Sequence, residues 1–98
     1  MSRNDDAPGR VVHEPDARRF ALELDGHLAV LEYTLDGQRL TITHTGVPGA
    51  IGGRGIAARL VEAAALHARE SGLQVRPACS YAADWFGKHP EFADVLDA

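Results

Sequence analysis

The chain has 98 residues, of which 45% are hydrophobic and 24% are charged, and its formal net charge at pH 7 is -4. This length allows one domain with one core, and the composition is that of an ordinary soluble globular protein. No Lys/Arg-rich run is present, which argues against nucleic acid as a partner, and no apolar run approaches the roughly 20 residues that a membrane-spanning helix needs.

The N-terminal segment is polar and contains no apolar stretch that would resemble a secretory signal. We therefore expect residues 1–10 to form a disordered tail and residues 11–98 to form a single domain. Cys79 is the only cysteine, and a lone thiol is typical of a reducing compartment, so we expect a cytoplasmic protein. The five histidines have no paired spacing such as His-x-x-x-His, and no metal is expected.

Three β-favouring runs follow the tail, at residues 19–24, 27–34 and 39–45. Asp25-Gly26 separates the first two runs and is a strong signal for a two-residue hairpin turn, and Asp36-Gly37 precedes the third. In the third run, Leu40, Ile42 and His44 alternate with threonines in the period of a strand. These patterns predict an antiparallel three-stranded meander, which Pro48 and Gly49 end.

A helical pattern then extends from Gly53 to about Ser71. Its apolar stripe is formed largely by small side chains, which suggests close packing on a sheet: Ala57, Leu60, Val61, Ala64 and Ala68. Gly72 is expected to cap the C-terminus of this helix. A short strand at residues 73–76 follows, and the order strand, helix, strand predicts parallel pairing through a right-handed crossover.

Two short helices are expected at the C-terminus. Ser80 can cap a helix from Tyr81 to about Gly87, and Pro90 can begin another that continues through Leu96. The predicted fold class is therefore α+β, with an antiparallel meander followed by a helix, a parallel strand and short C-terminal helices.

The segment between the meander and the long helix is rich in glycine, and it reads Gly49-Ala-Ile-Gly-Gly-Arg-Gly-Ile-Ala57. Bare backbone amides and the positive end of the following helix together favour an anionic group such as phosphate. No Lys-Ser/Thr pair follows Gly55, so the segment is not a Walker loop, and it lacks the further glycines and acidic residue of a dinucleotide fingerprint. From the spacing alone, a glycine-rich turn without a ligand remains the alternative.

Four short motifs occur in a specific order along the chain. They are His44-Thr-Gly-Val-Pro48, Gly53-Arg-Gly-Ile-Ala57, Pro77-Ala-Cys-Ser-Tyr81 and His89-Pro-Glu91. With the order of strands and helices around them, they resemble the short, stand-alone branch of the GNAT superfamily of N-acetyltransferases, from roughly His13 to Leu96. The resemblance implies an α/β GNAT-like fold that binds acetyl-CoA.

The resemblance also implies where acetyl-CoA would bind. Its pyrophosphate would lie on consecutive backbone amides, those of Gly53, Arg54, Gly55, Ile56 and Ala57. Its pantetheine arm would extend along the strand that ends near Val47, in a gap left by the strand at residues 73–76, with the thioester near Cys79. Two positions depart from the family pattern: Gly52 stands where the superfamily has Gln or Arg, and Gly46 where relatives often have glutamate.

Three side chains are candidates for the chemistry. Cys79 precedes a predicted helix start, where a thiolate is favoured, and Arg76 and His44 are candidate partners for it. His44 is a candidate proton acceptor, and Tyr81 could protonate the leaving thiolate. Each has a structural alternative: Cys79 as a small buried residue, His44 as a hydrogen-bonded strand residue, and Tyr81 as packing beneath the cofactor.

The sequence thus predicts an acetyl-CoA-dependent N-acetyltransferase that acts on a primary amine. The amine would attack the thioester directly, or Cys79 would first take the acetyl group. Because the chain has no residues left over for a deep acceptor pocket, we expect an extended acceptor, such as a protein lysine or N-terminus, or a pocket completed by a second copy in a homodimer. A non-catalytic acyl-CoA-binding or sensing module and a small interaction domain without a cofactor are the alternatives.

Overall fold

A computed structural model of the protein describes residues 9–97. It contains one five-stranded sheet whose strands lie in chain order: β1 (Val11–Glu14), β2 (Arg19–Leu24), β3 (His27–Asp36), β4 (Arg39–Gly46) and β5 (Gln74–Pro77). The helices are α1 (Ile56–Ser71) and α2 (Ser80–Gly87), and short 3-10 turns cover Pro15–Ala17, Gly49–Ile51 and Pro90–Val95. Neighbouring strands are antiparallel except β4 and β5, which are parallel.

The predicted fold class is confirmed. The turn between β2 and β3 consists of Asp25 and Gly26, both with positive φ (53° and 77°), as a two-residue hairpin with right-handed strand twist requires. The structure adds β1, which the sequence analysis missed and which pairs with β2 along its whole length. With β1, the meander has four antiparallel strands instead of three.

Helix α1 connects β4 to β5 and covers one face of the sheet. Four of the five predicted stripe residues are buried there, with Leu60, Val61, Ala64 and Ala68 all 0% exposed, and the small alanine side chains let the helix approach the strands closely. Ala57, the fifth, is only partly buried. Leu66 lies off the stripe, and its side chain therefore faces solvent, at 41% exposure. The predicted cap is confirmed: Gly72 has a φ of 70° and its N–H donates to the Ala68 carbonyl.

Several predicted boundaries were wrong. Helix α1 begins at Ile56 instead of Gly53, because Gly53 and Gly55 adopt the left-handed conformation, which cannot continue a helix. Helix α2 is capped by Cys79 instead of Ser80. The last predicted helix is a 3-10 segment that ends at Val95, since Leu96 is extended and forms a parallel bridge with Val75.

Only the last two residues of the predicted tail lie within the described part of the chain. The Gly9 N–H donates to the Glu23 carbonyl at 2.9 Å, so the ninth residue of the predicted tail is hydrogen-bonded to β2. The rest of that prediction, for residues 1–8, lies outside the described residues.

A cluster of rings joins β1 to the rest of the molecule. His13 stacks on Phe20 with ring centroids 4.2 Å apart, contacts His67 of α1 at 4.4 Å, and is hydrogen-bonded to the Tyr33 hydroxyl at 2.6 Å. Burial, and then the neighbouring His67, lower the pKa of His13, and burial raises the pKa of Tyr33. Both shifts favour the neutral forms, which suit this partly apolar environment.

Arg69 of α1 forms hydrogen bonds and an ion pair with the C-terminal 3-10 segment. Its guanidinium donates to both carboxylate oxygens of Asp94, at 3.0 and 2.7 Å, and to the Glu91 carbonyl at 2.8 Å. It also lies over the Phe92 ring, 4.5 Å from the centroid. The hydrogen bond from Arg69 lowers the pKa of Asp94, and the same bond raises the pKa of Arg69.

Candidate active site

The glycine loop, which we define as residues 49–55, connects β4 to α1. Its first residues form a 3-10 turn that buries Ile51, and Gly52 is extended. Gly53 and Gly55 then have φ values of 76° and 73°, a conformation that side-chain-bearing residues rarely adopt. Apart from the adjacent residues of the chain, no heavy atom of residues 9–97 lies within 4 Å of where a Cβ would stand at either glycine, so this part of the loop surface is open to a ligand.

The first turn of α1 has no side-chain cap. Gly55 occupies the N-cap position, and as a glycine it has no side chain to accept a hydrogen bond from the helix amides that follow it. The N–H groups of Ile56 and Ala57 belong to the first turn of the helix, where amides have no intrahelical acceptor. Together with the helix dipole they form a site suited to an anion, at the position where the sequence predicted phosphate.

Arg54 projects from the same loop but already has an ionic partner. Its Nη1 donates to Asp25 Oδ2 at 3.0 Å, which ties the glycine loop to the turn between β2 and β3. The pair is exposed, at 48% for Arg54 and 61% for Asp25, so the guanidinium remains accessible to an anionic ligand. At this exposure the ion pair is weak enough for a ligand to compete with it.

A gap opens between β4 and β5 just before the glycine loop. Their ladder ends at Ile42 and Pro77, while β4 continues to Gly46. Pro77 has no N–H to donate, and the amides of Ala78 and Cys79 both turn to the Ile42 carbonyl, at 3.0 and 3.1 Å. Residues 44–46 of β4 therefore pair with β3 on one edge, and residues 43–46 have no strand partner from β5 on the other.

Cys79 lies where this gap begins. Its Sγ accepts a hydrogen bond from the Ala82 amide at 3.4 Å and lies 3.5 Å from Thr45 Oγ1. Thr45 is directly opposite the buried Leu31 in the ladder, so its side chain faces the core side of the sheet. The sulfur is thus held between the end of β4 and the first turn of α2.

His44 is not a partner of Cys79, which corrects the sequence analysis. The ladder matches Tyr33 to Ile42 and then Glu32 to His44, so Thr43 is a bulge, and the strand period shifts by one residue. The alternation with Leu40 and Ile42 placed His44 on the core face, whereas the bulge turns its exposed side chain to the opposite face. Arg76 is exposed too, next to the buried Val75, and neither residue is among the described contacts of Cys79.

The remaining predicted site residues lie around the gap and the loop. Val47 is half-buried and packs against the core immediately after β4. Tyr81 is in the first turn of α2 with 40% of its surface exposed. Gly46 is covered by the His44 ring, because a Cβ at Gly46 would stand 2.8 Å from His44 Nε2.

Three residues of the site were missed from the sequence. Thr45 contacts the sulfur of Cys79, Thr43 forms the bulge and donates from Oγ1 to the Glu32 carbonyl at 3.2 Å, and Glu32 lies opposite His44. Thr45 belongs to the His-Thr-Gly-Val-Pro motif, so its motif position could have drawn attention to it. No local signal marks Thr43 or Glu32, because a bulge is defined only by the pairing of two strands.

Within residues 9–97, no group of three or more His, Cys, Asp or Glu side chains is arranged to hold a metal ion. No helix in this part of the chain is long and apolar enough to cross a membrane. The cytoplasmic location stays a prediction.

Comparisons with known proteins agree with this geometry. A family model described as GCN5-related N-acetyl-transferase matches residues 19–95. The mouse protein NATD1 is 37% identical over 86 residues, which cover 85% of this chain and 78% of that protein, and human protein NATD1 is 37% identical over 86 residues that cover 76% of its length. A GCN5-like protein from Staphylococcus aureus, whose structure was solved by NMR, superposes with a TM-score of 0.74 at 27% identity. The match covers 94% of this chain and 91% of that protein.

The family uses acetyl-CoA, and its fold implies an amine acceptor. The chain belongs to the GCN5-related N-acetyltransferase family and is an N-acetyltransferase.

Proposed function

We propose that the protein transfers the acetyl group of acetyl-CoA to a primary amine carried by a protein or peptide. One observation carries the proposal: the open edge of β4 leads directly into the uncapped, glycine-rich start of α1. A ligand that has both an anionic end and an extended amide-bearing arm, as CoA has, matches this succession of an anion site and an unpaired strand edge.

The backbone would hold the pyrophosphate. The amides of residues 53–57 lie in a turn whose surface is open at its two left-handed glycines, Gly53 and Gly55. Amides need no side-chain ordering to bind, and hydrogen bonds to a charged group are stronger than neutral ones. Gly52 contributes backbone only, so Arg54 is the side chain of the loop that adds positive charge, in competition with its bond to Asp25.

The edge of β4 at residues 43–46 would hold the pantetheine arm, with Val47 beside it. Acetyl-CoA supplies an activated acetyl thioester when bound. Cys79 and Thr45 lie next to this edge, and Tyr81 is in the first turn of the helix that Cys79 caps. This arrangement serves either route: Cys79 accepts the acetyl group before the amine does, or Cys79 and Tyr81 assist departure of the CoA thiolate during direct attack.

The acceptor would approach the face of the sheet that the helices leave uncovered. On that face Val12 of β1 and Leu28 of β3 are exposed, at 40% and 46%. An extended segment, such as a chain terminus or a loop bearing a lysine, suits an open sheet face better than a compact metabolite does.

Turnover of acetyl-CoA with a panel of lysine-bearing peptides, free amino acids and polyamines tests the proposal. We expect peptides to be acetylated most efficiently, with acetyl groups located by mass spectrometry. Intact-mass analysis after incubation with acetyl-CoA alone separates the routes: an added acetyl group that is absent from Cys79→Ala supports the covalent route, and full turnover by Cys79→Ala excludes it. Binding of acetyl-CoA without turnover of any amine would instead favour a sensing module.

A further inference from the structure

A row of four charged or titratable side chains crosses the uncovered face of the sheet. In register, Glu14 lies opposite Arg19, Arg19 opposite Glu32, and Glu32 opposite His44. Residues directly opposite one another in antiparallel strands have Cβ atoms about 5 Å apart, so neighbours in the row stand side by side. Among these neighbours, Glu14 and Arg19 form an ion pair. The row ends at the Thr43 bulge, beside the open edge of β4.

Within this row, Glu32 is the acidic group that is available to a ligand. Arg19 could neutralise it, but the Arg19 guanidinium is bonded to Glu14 on the opposite side. Among residues 9–97, no cation forms an ion pair with the Glu32 carboxylate, and its side chain is exposed. The backbone of Glu32 is fixed, since its carbonyl accepts the hydrogen bond from the Thr43 hydroxyl.

His44 stands beside this carboxylate and faces the same side of the sheet. Its ring is folded over Gly46, with Nε2 2.8 Å from where a Cβ of residue 46 would be. Any side chain at position 46 would therefore compete with the ring for this space. Because position 46 is a glycine, the His44 imidazole can occupy the surface next to the gap.

We propose that Glu32 is a specificity-determining residue that selects a cationic amine, the protonated lysine side chain of an extended peptide, and that His44 takes the proton this amine must lose. The inference rests on the proposed function. A lysine ammonium is the form that predominates at neutral pH, so the acceptor arrives as a cation and cannot attack until it is deprotonated.

The proton balance is complete with these groups. The ammonium binds at the Glu32 carboxylate and gives one proton to the His44 imidazole, which later releases it to water. The nitrogen lone pair then forms the C–N bond to the acetyl carbon, the C–S bond of the thioester breaks, and its electron pair leaves on the CoA sulfur. The nitrogen loses a second proton and the CoA thiolate gains one, so the products are an amide, CoA and one released proton.

Kinetics of charge variants test the assignment. We expect Glu32→Gln to raise the KM for a lysine peptide about fourfold and Glu32→Lys about fifteenfold, as loss and reversal of one exposed charge interaction at about 5 Å would do. The KM for acetyl-CoA and the Tm should stay unchanged, and Glu32→Asp should largely restore the KM. At high salt, the difference between wild type and Glu32→Lys should shrink because the charges are screened.

Glu23→Lys is the matched control. Glu23 is an exposed glutamate on the same face of the sheet, one strand away from Glu32 and outside the row. If Glu23→Lys raises the peptide KM as much as Glu32→Lys does, or if neither variant changes it, the assignment is overturned. If kcat alone falls in Glu32→Gln, Glu32 does not select the amine.

Binding measured without turnover separates this inference from the proposed function. Amide NMR spectra of the CoA-saturated protein, titrated with the lysine peptide, should show shifts at residues 32 and 44 that are lost in Glu32→Lys. Normal turnover with unchanged peptide KM and no such shifts would reject the role of Glu32 alone. Failure to bind CoA and failure to bind peptide would reject both proposals.

Discussion

The glycine at the N-cap of α1 offers a quantitative test of the phosphate site. Gly55 has a φ of 73°, and in the described part of the chain no heavy atom beyond its sequence neighbours lies within 4 Å of a Cβ placed there. The cost of Gly55→Ala would therefore come from backbone strain and not from a clash. An L-residue in the left-handed region costs about 1–2 kcal/mol. For a domain of this size, each kcal/mol lowers Tm by roughly 4–8 °C. We therefore expect Gly55→Ala to melt about 4–16 °C below wild type.

The same substitution should also weaken acetyl-CoA binding. If the backbone relieves its strain by leaving the left-handed region, the amides of Ile56 and Ala57 turn away from the ligand. A hydrogen bond to a charged group contributes about 1.5–3 kcal/mol, so the loss of one such bond would raise Kd about tenfold or more. Calorimetric titration below the melting range of the variant measures this change directly.

Gly72→Ala is the matched control for strain. Gly72 caps the other end of the same helix and has a φ of 70°. A Cβ at Gly72 would likewise meet no heavy atom of residues 9–97 within 4 Å, apart from its sequence neighbours. Gly72→Ala should therefore lose a similar amount of stability and keep the wild-type Kd. Equal Kd values for the Gly55 and Gly72 variants would refute the assignment of the α1 start as the phosphate site.

Three further predictions concern other parts of the molecule. Gly46→Ala should lower kcat, because the added Cβ would stand 2.8 Å from His44 Nε2 and displace the ring; an unchanged kcat in steady-state assays would argue against a role for His44. Burial, and then a neighbouring histidine, lower the pKa of His13 below 6.5, so the unfolded chain binds more protons than the folded one below that pH, and stability falls as the pH decreases through 6.5 towards the lower, folded-state pKa. His13→Phe, which retains a ring for stacking, should show a shallower loss in thermal melts over this range, and an equal slope would contradict the reasoning. The hydrogen bond from Arg69 lowers the pKa of Asp94 below 3.8, so its stabilising effect is present above that value and is lost as the pH falls through the lower, folded-state pKa. The Tm of Asp94→Asn should therefore be lower than that of the wild type at neutral pH. The two Tm values should become equal at a pH where the Asp94 carboxylate is protonated, and a difference that persists in acid would require another cause.

Local sequence signals were sufficient for most of the architecture. The Asp25-Gly26 pair predicts its turn because both residues tolerate positive φ, and the alanine-rich stripe predicts α1 because helical spacing requires no knowledge of the partner. The glycine loop was recognised for the same reason. Strand β1 was missed because it has only four residues and is defined by its pairing with β2.

The details of the site depend on pairing between strands, which one strand's sequence does not contain. Strict alternation placed His44 with Ile42, and the bulge at Thr43 reverses that assignment. The bulge also brings Thr45 instead of His44 to Cys79. A shift of one residue in register moves every following side chain to the other face, so a prediction of site geometry is correct only when the register is known.

Calorimetric titration of the folded wild-type protein with acetyl-CoA, and separately with CoA, tests the central claim most directly. Saturable binding of both ligands at a single site, weakened in Gly55→Ala and retained in Gly72→Ala, is the result that we predict. Absence of binding at high ligand concentration, by protein shown to be folded, would contradict the proposed acetyl-CoA site and the function that depends on it.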